Sequence, residues 1–176
     1  LGDVYKRQSS QDTCKWLVMG WGARPNSGIF ITNPIGWLLR NVNSSLALFK
    51  DNGVRGFSKV LIAIRPGRRN KRFIDVADKI CSHFGASLTL LNIVGESDNN
   101  QKVKRTEKSS SELISETKSK SVVKIIRSNS PVEAISEESA SYDLLILGTP
   151  EKDNWIRVLF GAGEDRFVKK AACSVL

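Results

Sequence analysis

Five cations fall within the eight residues Arg65-Pro-Gly-Arg-Arg-Asn-Lys-Arg72: Arg65, Arg68, Arg69, Lys71 and Arg72, with Gly67 at the turn. Guanidinium and ammonium groups at that density suit an anionic ligand, an acidic protein surface or lipid headgroups, and a solvated loop is the competing reading. Glycines supply the other anion-binding candidates. Gly161-Ala-Gly163-Glu-Asp-Arg166 carries two of the three glycines of a dinucleotide fingerprint and opens a helix-like segment, where backbone N–H groups can face an anion. No strand directly precedes it, so a plain turn is the alternative. Gly148 closes an apolar run, and the GxxxxGK[ST] pattern of a P-loop does not occur. The single His excludes any site that needs two imidazoles. Cys81 and His83 lie two apart on a predicted helix and so point to different faces. The adjacent carboxylates Glu137-Glu138 and Glu164-Asp165 read as solvated helix faces. Nothing composes a catalytic constellation or a metal site, and the chain reads as a non-enzyme.

The elements that must position these groups alternate from Ser58 onward. Lys59-Val-Leu-Ile-Ala-Ile-Arg65 is a continuous apolar run, as in a strand buried on both faces. Phe73, Val76, Ala77, Ile80 and Phe84 then recur at helical spacing, and Gly85 follows as a C-cap. Ser87–Val94 and Ser121–Arg127 are further strands, with a loop and a helix through Leu113 and Ile114 between them. Ser130-Pro-Val-Glu133 predicts a helix start, with Ser as N-cap, Pro at the first position and Glu at the third. Asp143–Gly148 is a fourth strand, Gly163 to Ala171 a helix, and Cys173–Leu176 the beginning of a fifth strand. Strand–helix alternation of this kind predicts a parallel α/β sheet with right-handed crossovers. The Arg cluster then falls just past the carboxyl end of the first strand, the end that faces a ligand crevice in such sheets.

Composition sets the outer bounds. The chain has 176 residues, 27 Lys+Arg against 18 Asp+Glu for a formal charge of +9, and is 40% hydrophobic and 26% charged. That is a globular balance, neither disordered nor fibrous. Cys14, Cys81 and Cys173 form no CxxC pair or disulfide framework, which favours a reducing, cytoplasmic setting. No apolar run approaches the roughly 20 residues of a membrane span, and no signal peptide opens the chain. Residues 101–128 carry eight basic and three acidic side chains, whereas residues 129–176 carry five and eight. The densest stretch, Gln101 to Lys120, alternates Lys and Ser without an aromatic. It reads as a solvated, mobile segment, and no nucleic-acid partner is expected.

An internal repeat divides the chain. Trp16-Leu-Val-Met-Gly20 matches Leu144-Leu-Ile-Leu-Gly148 at an offset of 128, and Leu38 to Leu46 matches Phe167 to Val175 at 129. Residues 11–50 are accordingly expected to be the last third of a first copy, 51–56 a linker, and 57–176 a nearly complete second copy. Residues 1–10 are set aside as a non-native or disordered N-terminus, and the chain is read as a piece of something longer.

The second copy resembles a universal stress protein domain. The resemblance is carried by Lys59-Val-Leu-Ile-Ala-Ile, by Phe73 through Val94, by Tyr142-Asp-Leu-Leu-Ile-Leu-Gly148 and by Gly161 through Leu176. It implies a five-stranded parallel sheet with helices on both faces, like that of adenine-nucleotide alpha-hydrolases, and a homodimer. ATP-binding members carry an Asp after the first strand, then Gly-x-x-Gly and, further on, Gly-Ser/Thr. Here Arg65 stands at the Asp, Gly148-Thr-Pro-Glu151 keeps only the first Gly, and Gly161-Ala162 lacks the hydroxyl. In the first copy Gly20-Trp-Gly22-Ala23 is broken and Thr32-Asn33 replaces Gly-Ser. The resemblance therefore implies a degenerate nucleotide site. The alternative is an ATP- or AMP-binding protein whose phosphates lie on Gly148, Gly161, Gly163 and Arg68/Arg69. Tandem divergent domains of this kind are similar to the cytoplasmic C-terminal regions of amino-acid permeases and cation–chloride cotransporters. That analogy suggests a regulatory role beside a membrane transporter domain of the same chain.

Overall fold

A computed structural model describes residues 16–20, 45–64, 70–148 and 164–176. The elements run β1 (Trp16–Gly20), β2 (Ser45–Phe49), β3 (Lys59–Ala63), α1 (Asn70–Phe84), β4 (Ser87–Val94), α2 (Asn100–Ile114), β5 (Ser121–Arg127), α3 (Pro131–Ser139), β6 (Leu144–Leu147), α4 (Glu164–Lys170) and β7 (Ser174–Val175). They divide between two compact units, Leu1–Lys50 and Asp51–Leu176.

In the second unit the five strands pair in parallel in the order β5-β4-β3-β6-β7. The apolar runs explain the order. Val60, Leu61 and Ile62 of β3 are fully buried, as are Leu88, Leu90 and Leu91 of β4, so these strands need cover on both faces. Each such side chain contributes about 1.5–3 kcal/mol on burial. β5 alternates half-buried and exposed positions, as suits an edge strand. Right-handed crossovers put α1 and α2, which pack on each other, on one face, and α3 and α4, also packed together, on the other. The predicted five-stranded α/β sheet is thus the fold of this unit.

Local chemistry sets the ends of the helices. α1 stops where Gly85 takes φ +66, and the Ala86 N–H donates back to the Cys81 carbonyl at 2.8 Å, a Schellman closure. Its buried stripe is Ile74, Ala77 and Cys81. That stripe is rotated from the predicted one, leaving Phe84 at 49% exposure and Phe73 half-buried. The Gln101–Lys120 stretch differs from the mobile segment expected of its composition, since most of it is α2. Asn99 caps this helix by accepting from the Lys102 N–H at 2.8 Å. A narrow stripe of Val103, Thr106, Ser110 and Leu113 faces inward, and the buried Ser110 hydroxyl accepts from Asn92 Nδ2 at 2.8 Å. The helix expected through Leu113 and Ile114 is present and begins as far back as Asn100, on an apolar stripe only one residue wide.

The Ser130 start also differs from expectation. Pro131 does open α3, but the Ser130 side chain makes no capping bond, and Glu133 accepts from Lys170 Nζ at 2.7 Å. The ion pair with α4 takes the carboxylate that a reciprocal capping box would use. Two polar devices close the sheet. Asp143 accepts from the Ser58 and Lys59 N–H groups at 2.7 and 2.9 Å, tying β3 to the start of β6. The joint Asp51–Gly56 is held beside β7, with Asn52 Nδ2 donating to the Ala171 and Cys173 carbonyls and its N–H to Ser174 Oγ.

In the first unit, β1 and β2 form a parallel pair, Trp16↔Ser45 through Gly20↔Phe49. Among the described residues no helix is long and apolar enough to cross a membrane.

Candidate functional site

The chain leaves β3 in one direction, through β4 to β5, and resumes on the other side with β6 and β7. The carboxyl ends of β3 and β6, paired at Ala63↔Leu147, therefore form the switch point where doubly wound sheets bind ligands. Gly148 follows β6 there. Of the residues predicted from sequence to bind an anion, Gly148 is described, whereas Arg65, Gly67, Arg68, Arg69, Gly161 and Gly163 lie outside the described residues. So do Thr149 to Glu151, Ala162, and Gly22, Ala23, Thr32 and Asn33, the positions expected of a first copy. Lys71 and Arg72, the last two cations of the cluster, open α1 on an exposed face, and Lys71 Nζ donates to Glu116 Oε2 at 2.7 Å. That hydrogen bond and the attraction behind it hold the Glu116 carboxyl below its ordinary value and Lys71 above its own.

Gly148 tests whether the described part of the switch point fits a nucleotide phosphate. A glycine serving a phosphate leaves room for the anion to approach its backbone. Here a Cβ built on Gly148 would meet Phe73 Cε2 at 2.9 Å, with Cδ2 and Cζ at 3.2 Å. That contact lies on the Cα side of Gly148, where an aromatic ring from the first turn of α1 packs. Ile64, Leu147, Phe73 and Gly148 make this end apolar. Among the described residues, no buried side-chain nitrogen or oxygen is left without a partner to point at a missing ligand. At the described part of the switch point, helix–strand packing accounts for the glycine at 148.

The remaining candidates are kept apart or neutralised. Cys81 is buried and its thiol is pushed up to about 11, first by burial and then by the charge of Asp78, so it stays protonated at neutral pH. His83 is exposed, its ring edge-on to Phe84 at 4.8 Å, so the structure does not bring these two together. Burial raises the Cys173 thiol as well. Glu138 accepts from Lys124 Nζ at 2.6 Å while Glu137 faces solvent. No described His, Cys, Asp and Glu side chains group in threes to hold a metal ion.

Two acidic clusters went unnoticed in the sequence. Asp98 accepts from Lys102 Nζ and from the Gly95 N–H, both at 2.8 Å, and the first of these bonds does most to hold its carboxyl below the ordinary value. Arg127 completes this cluster by donating to the Glu96 and Asp98 carbonyls and to Asn100 Oδ1. Asp78 receives the Lys118 N–H and both the N–H and hydroxyl of Ser119, at 2.7–3.1 Å. Burial pushes the Asp78 carboxyl up, but the Ser119 hydroxyl and the two backbone donors outweigh it and leave it below its ordinary value. Both clusters satisfy themselves and lock loops. Asp98 is signalled in sequence by its Ser- and Asn-rich turn, whereas Asp78, inside α1, carries no such signal.

This geometry sits in a known fold. A universal stress protein from Archaeoglobus fulgidus DSM 4304 aligns over 92% of this chain and 59% of its own, at 16% identity and a TM-score of 0.61. A universal stress protein in complex with cAMP aligns over 69% of this chain and 95% of its own, at 15% identity and a TM-score of 0.55. Another from Archaeoglobus fulgidus, in complex with dAMP, aligns over 68% and 95%, at 13% identity and 0.54. At these identities the likeness establishes the fold. No curated protein sequence matches the chain. A family model does: that of the universal stress protein family covers residues 56–176, more than half of the chain. By that match and by its five-stranded parallel sheet, the chain belongs to the universal stress protein family.

Proposed function

We propose that this chain is a non-catalytic regulatory and dimerisation module of the universal stress protein type, with a degenerate nucleotide site. The observation that carries this reading is the apolar switch point, where the Phe73 ring packs against the Gly148 Cα. The substitutions Arg65 for Asp, Glu151 for the second Gly and Ala162 for the hydroxyl residue support it from sequence. Calorimetric titration with ATP and AMP tests it. No binding below the millimolar range is expected, and sub-millimolar binding of either overturns it.

The second reading, ATP or AMP binding through a divergent loop, is favoured by the fold neighbours solved with cAMP and dAMP. It would place the phosphates on Gly148, Gly161, Gly163 and Arg68/Arg69, and the same titration decides between the two.

The tandem arrangement belongs to this proposal. Shifted by the offsets of 128 and 129, the Trp16↔Ser45 pairing of β1 with β2 becomes Leu144↔Ser174, which is the pairing of β6 with β7. A neighbour that aligns over 92% of this chain but 59% of its own supports the same reading. Residues 11–50 are then the closing third of a first copy, in a cytoplasmic region of a longer, transporter-like protein. Sedimentation of the chain at twice its 19.5 kDa mass would support the homodimer, and a monomer at high concentration would remove it.

A further inference from the structure

We infer that the joint Asp51–Gly56 is a strap that closes the β7 edge of the sheet to strand addition by a second copy of this chain. The inference is independent of the nucleotide reading. It bears on the proposed homodimer only by naming a surface that such a dimer cannot use. The sheet has two edges, β5 and β7, and an open edge is a template for another strand. At β7 the Leu176 N–H donates to the Leu145 carbonyl and the Leu176 carbonyl accepts from the Leu147 N–H, both at 2.9 Å. Leu176 and, two residues back, Ser174 therefore turn their backbone groups to β6, and those of Cys173 and Val175 turn to the outer edge.

Asn52 sits on that edge. Its side-chain amide, a copy of a peptide N–H, donates to the Cys173 carbonyl at 2.9 Å and to the Ala171 carbonyl at 3.3 Å. Its backbone N–H donates to Ser174 Oγ at 2.9 Å. The strap is itself folded: Asp51 Oδ1 accepts from the Gly53 and Val54 N–H groups at 2.8 and 3.2 Å, and Gly53 takes φ +90 to allow the turn. The segment it grips is anchored from inside, since the Ala172 N–H donates to the buried Ser139 Oγ at 3.0 Å. Ser174 and Val175 are accordingly 1% and 2% exposed within a single chain, although they lie on an edge strand. Val122 of the other edge strand is 51% exposed. A strand arriving from outside would have to displace Asn52 before it could reach the backbone of β7.

The test follows the full chain by NMR and sedimentation equilibrium from dilute to concentrated solution. In wild type the Cys173 and Val175 amide signals are expected to hold their positions, whether the chain sediments as monomer or dimer. Concentration-dependent shifts of both would put a second copy on this edge and overturn the inference. Asn52→Asp turns the donor into a carboxylate that faces two carbonyl oxygens, and Asn52→Ala removes it. Either release is expected to tighten self-association at least about tenfold, with Cys173 and Val175 now shifting as concentration rises. Folded variants that associate no more tightly than wild type overturn the inference, and so does a gain that leaves both amides unmoved. Should Asn52→Asp not fold, as judged by circular dichroism, the milder Asn52→Ala decides alone. A monomeric wild type whose variants associate through Val175 removes the homodimer and keeps the strap. A dimeric wild type whose variants gain nothing does the reverse.

Discussion

The β1/β2 pair and the β6/β7 pair are built from matching sequence, run parallel and share one register, yet their surroundings differ completely. In β6, Leu144, Leu145 and Ile146 are 1%, 0% and 3% exposed, because β3 lies alongside and helices cover both faces. In β1, Trp16 and Val18 stand 41% and 61% exposed. Parallel strands with apolar side chains on both faces are stable only when both faces are covered. The terminal glycines repeat the lesson. A Cβ on Gly148 would strike Phe73, whereas one on Gly20, its counterpart, has no described atom within 4 Å. Strand sequence sets pairing, then, but the elements packed around a strand decide what its end can do.

The widest test of this contrast substitutes the matched positions Ile146 and Val18. Ile146→Ala should cost about 2–5 kcal/mol in urea denaturation. Val18→Ala should stay within about 0.5 kcal/mol, and equal losses would break the comparison. The next effect concerns the helix cover of the second unit. Ser110→Ala leaves the buried Asn92 amide without its partner and should cost about 1–3 kcal/mol, partly recovered when Asn92→Leu is added.

A smaller loss, about 1–2 kcal/mol at neutral pH, is expected for Asp78→Ala, which removes the acceptor for the Lys118 and Ser119 N–H groups. Its pH dependence has a definite sign. The folded carboxyl lies below its ordinary value of 3.8, so its contribution is complete above that value and is lost as pH falls through the folded one. The gap between wild type and variant should therefore be flat near neutrality and close in acid; a gap that widened in acid would contradict the assignment. Lys71→Ala should leave the urea midpoint where it was, since its ion pair with Glu116 is exposed on both sides.

Most of the sheet could be read in advance, for physical reasons visible residue by residue. Ser87–Val94 and Ser121–Arg127 end where predicted because turn formers bound each apolar run on both sides. Gly85 announced the end of α1 because its positive φ is one that few other residues tolerate. The reading weakened where one contact outweighed composition. The helix across Asn100–Ile114 hangs on Asn99 and on the Asn92–Ser110 bond, and Glu133 answers to Lys170 in a helix far along the chain. At the candidate site, Gly148 reads in sequence as an anion-binding or turn glycine, and nothing in the sequence pairs it with Phe73, which reads as one more apolar position of α1. Only the packing of α1 beside β6 shows that the glycine serves a ring.

The most direct test follows the Gly148 amide of isotope-labelled protein by NMR while ATP is added. We expect the Gly148 and Ile64 amides to hold their positions up to roughly 1 mM ATP, a range in which binding stronger than about −4.1 kcal/mol would be seen. A saturable shift of both amides at sub-millimolar ATP would contradict a degenerate nucleotide site.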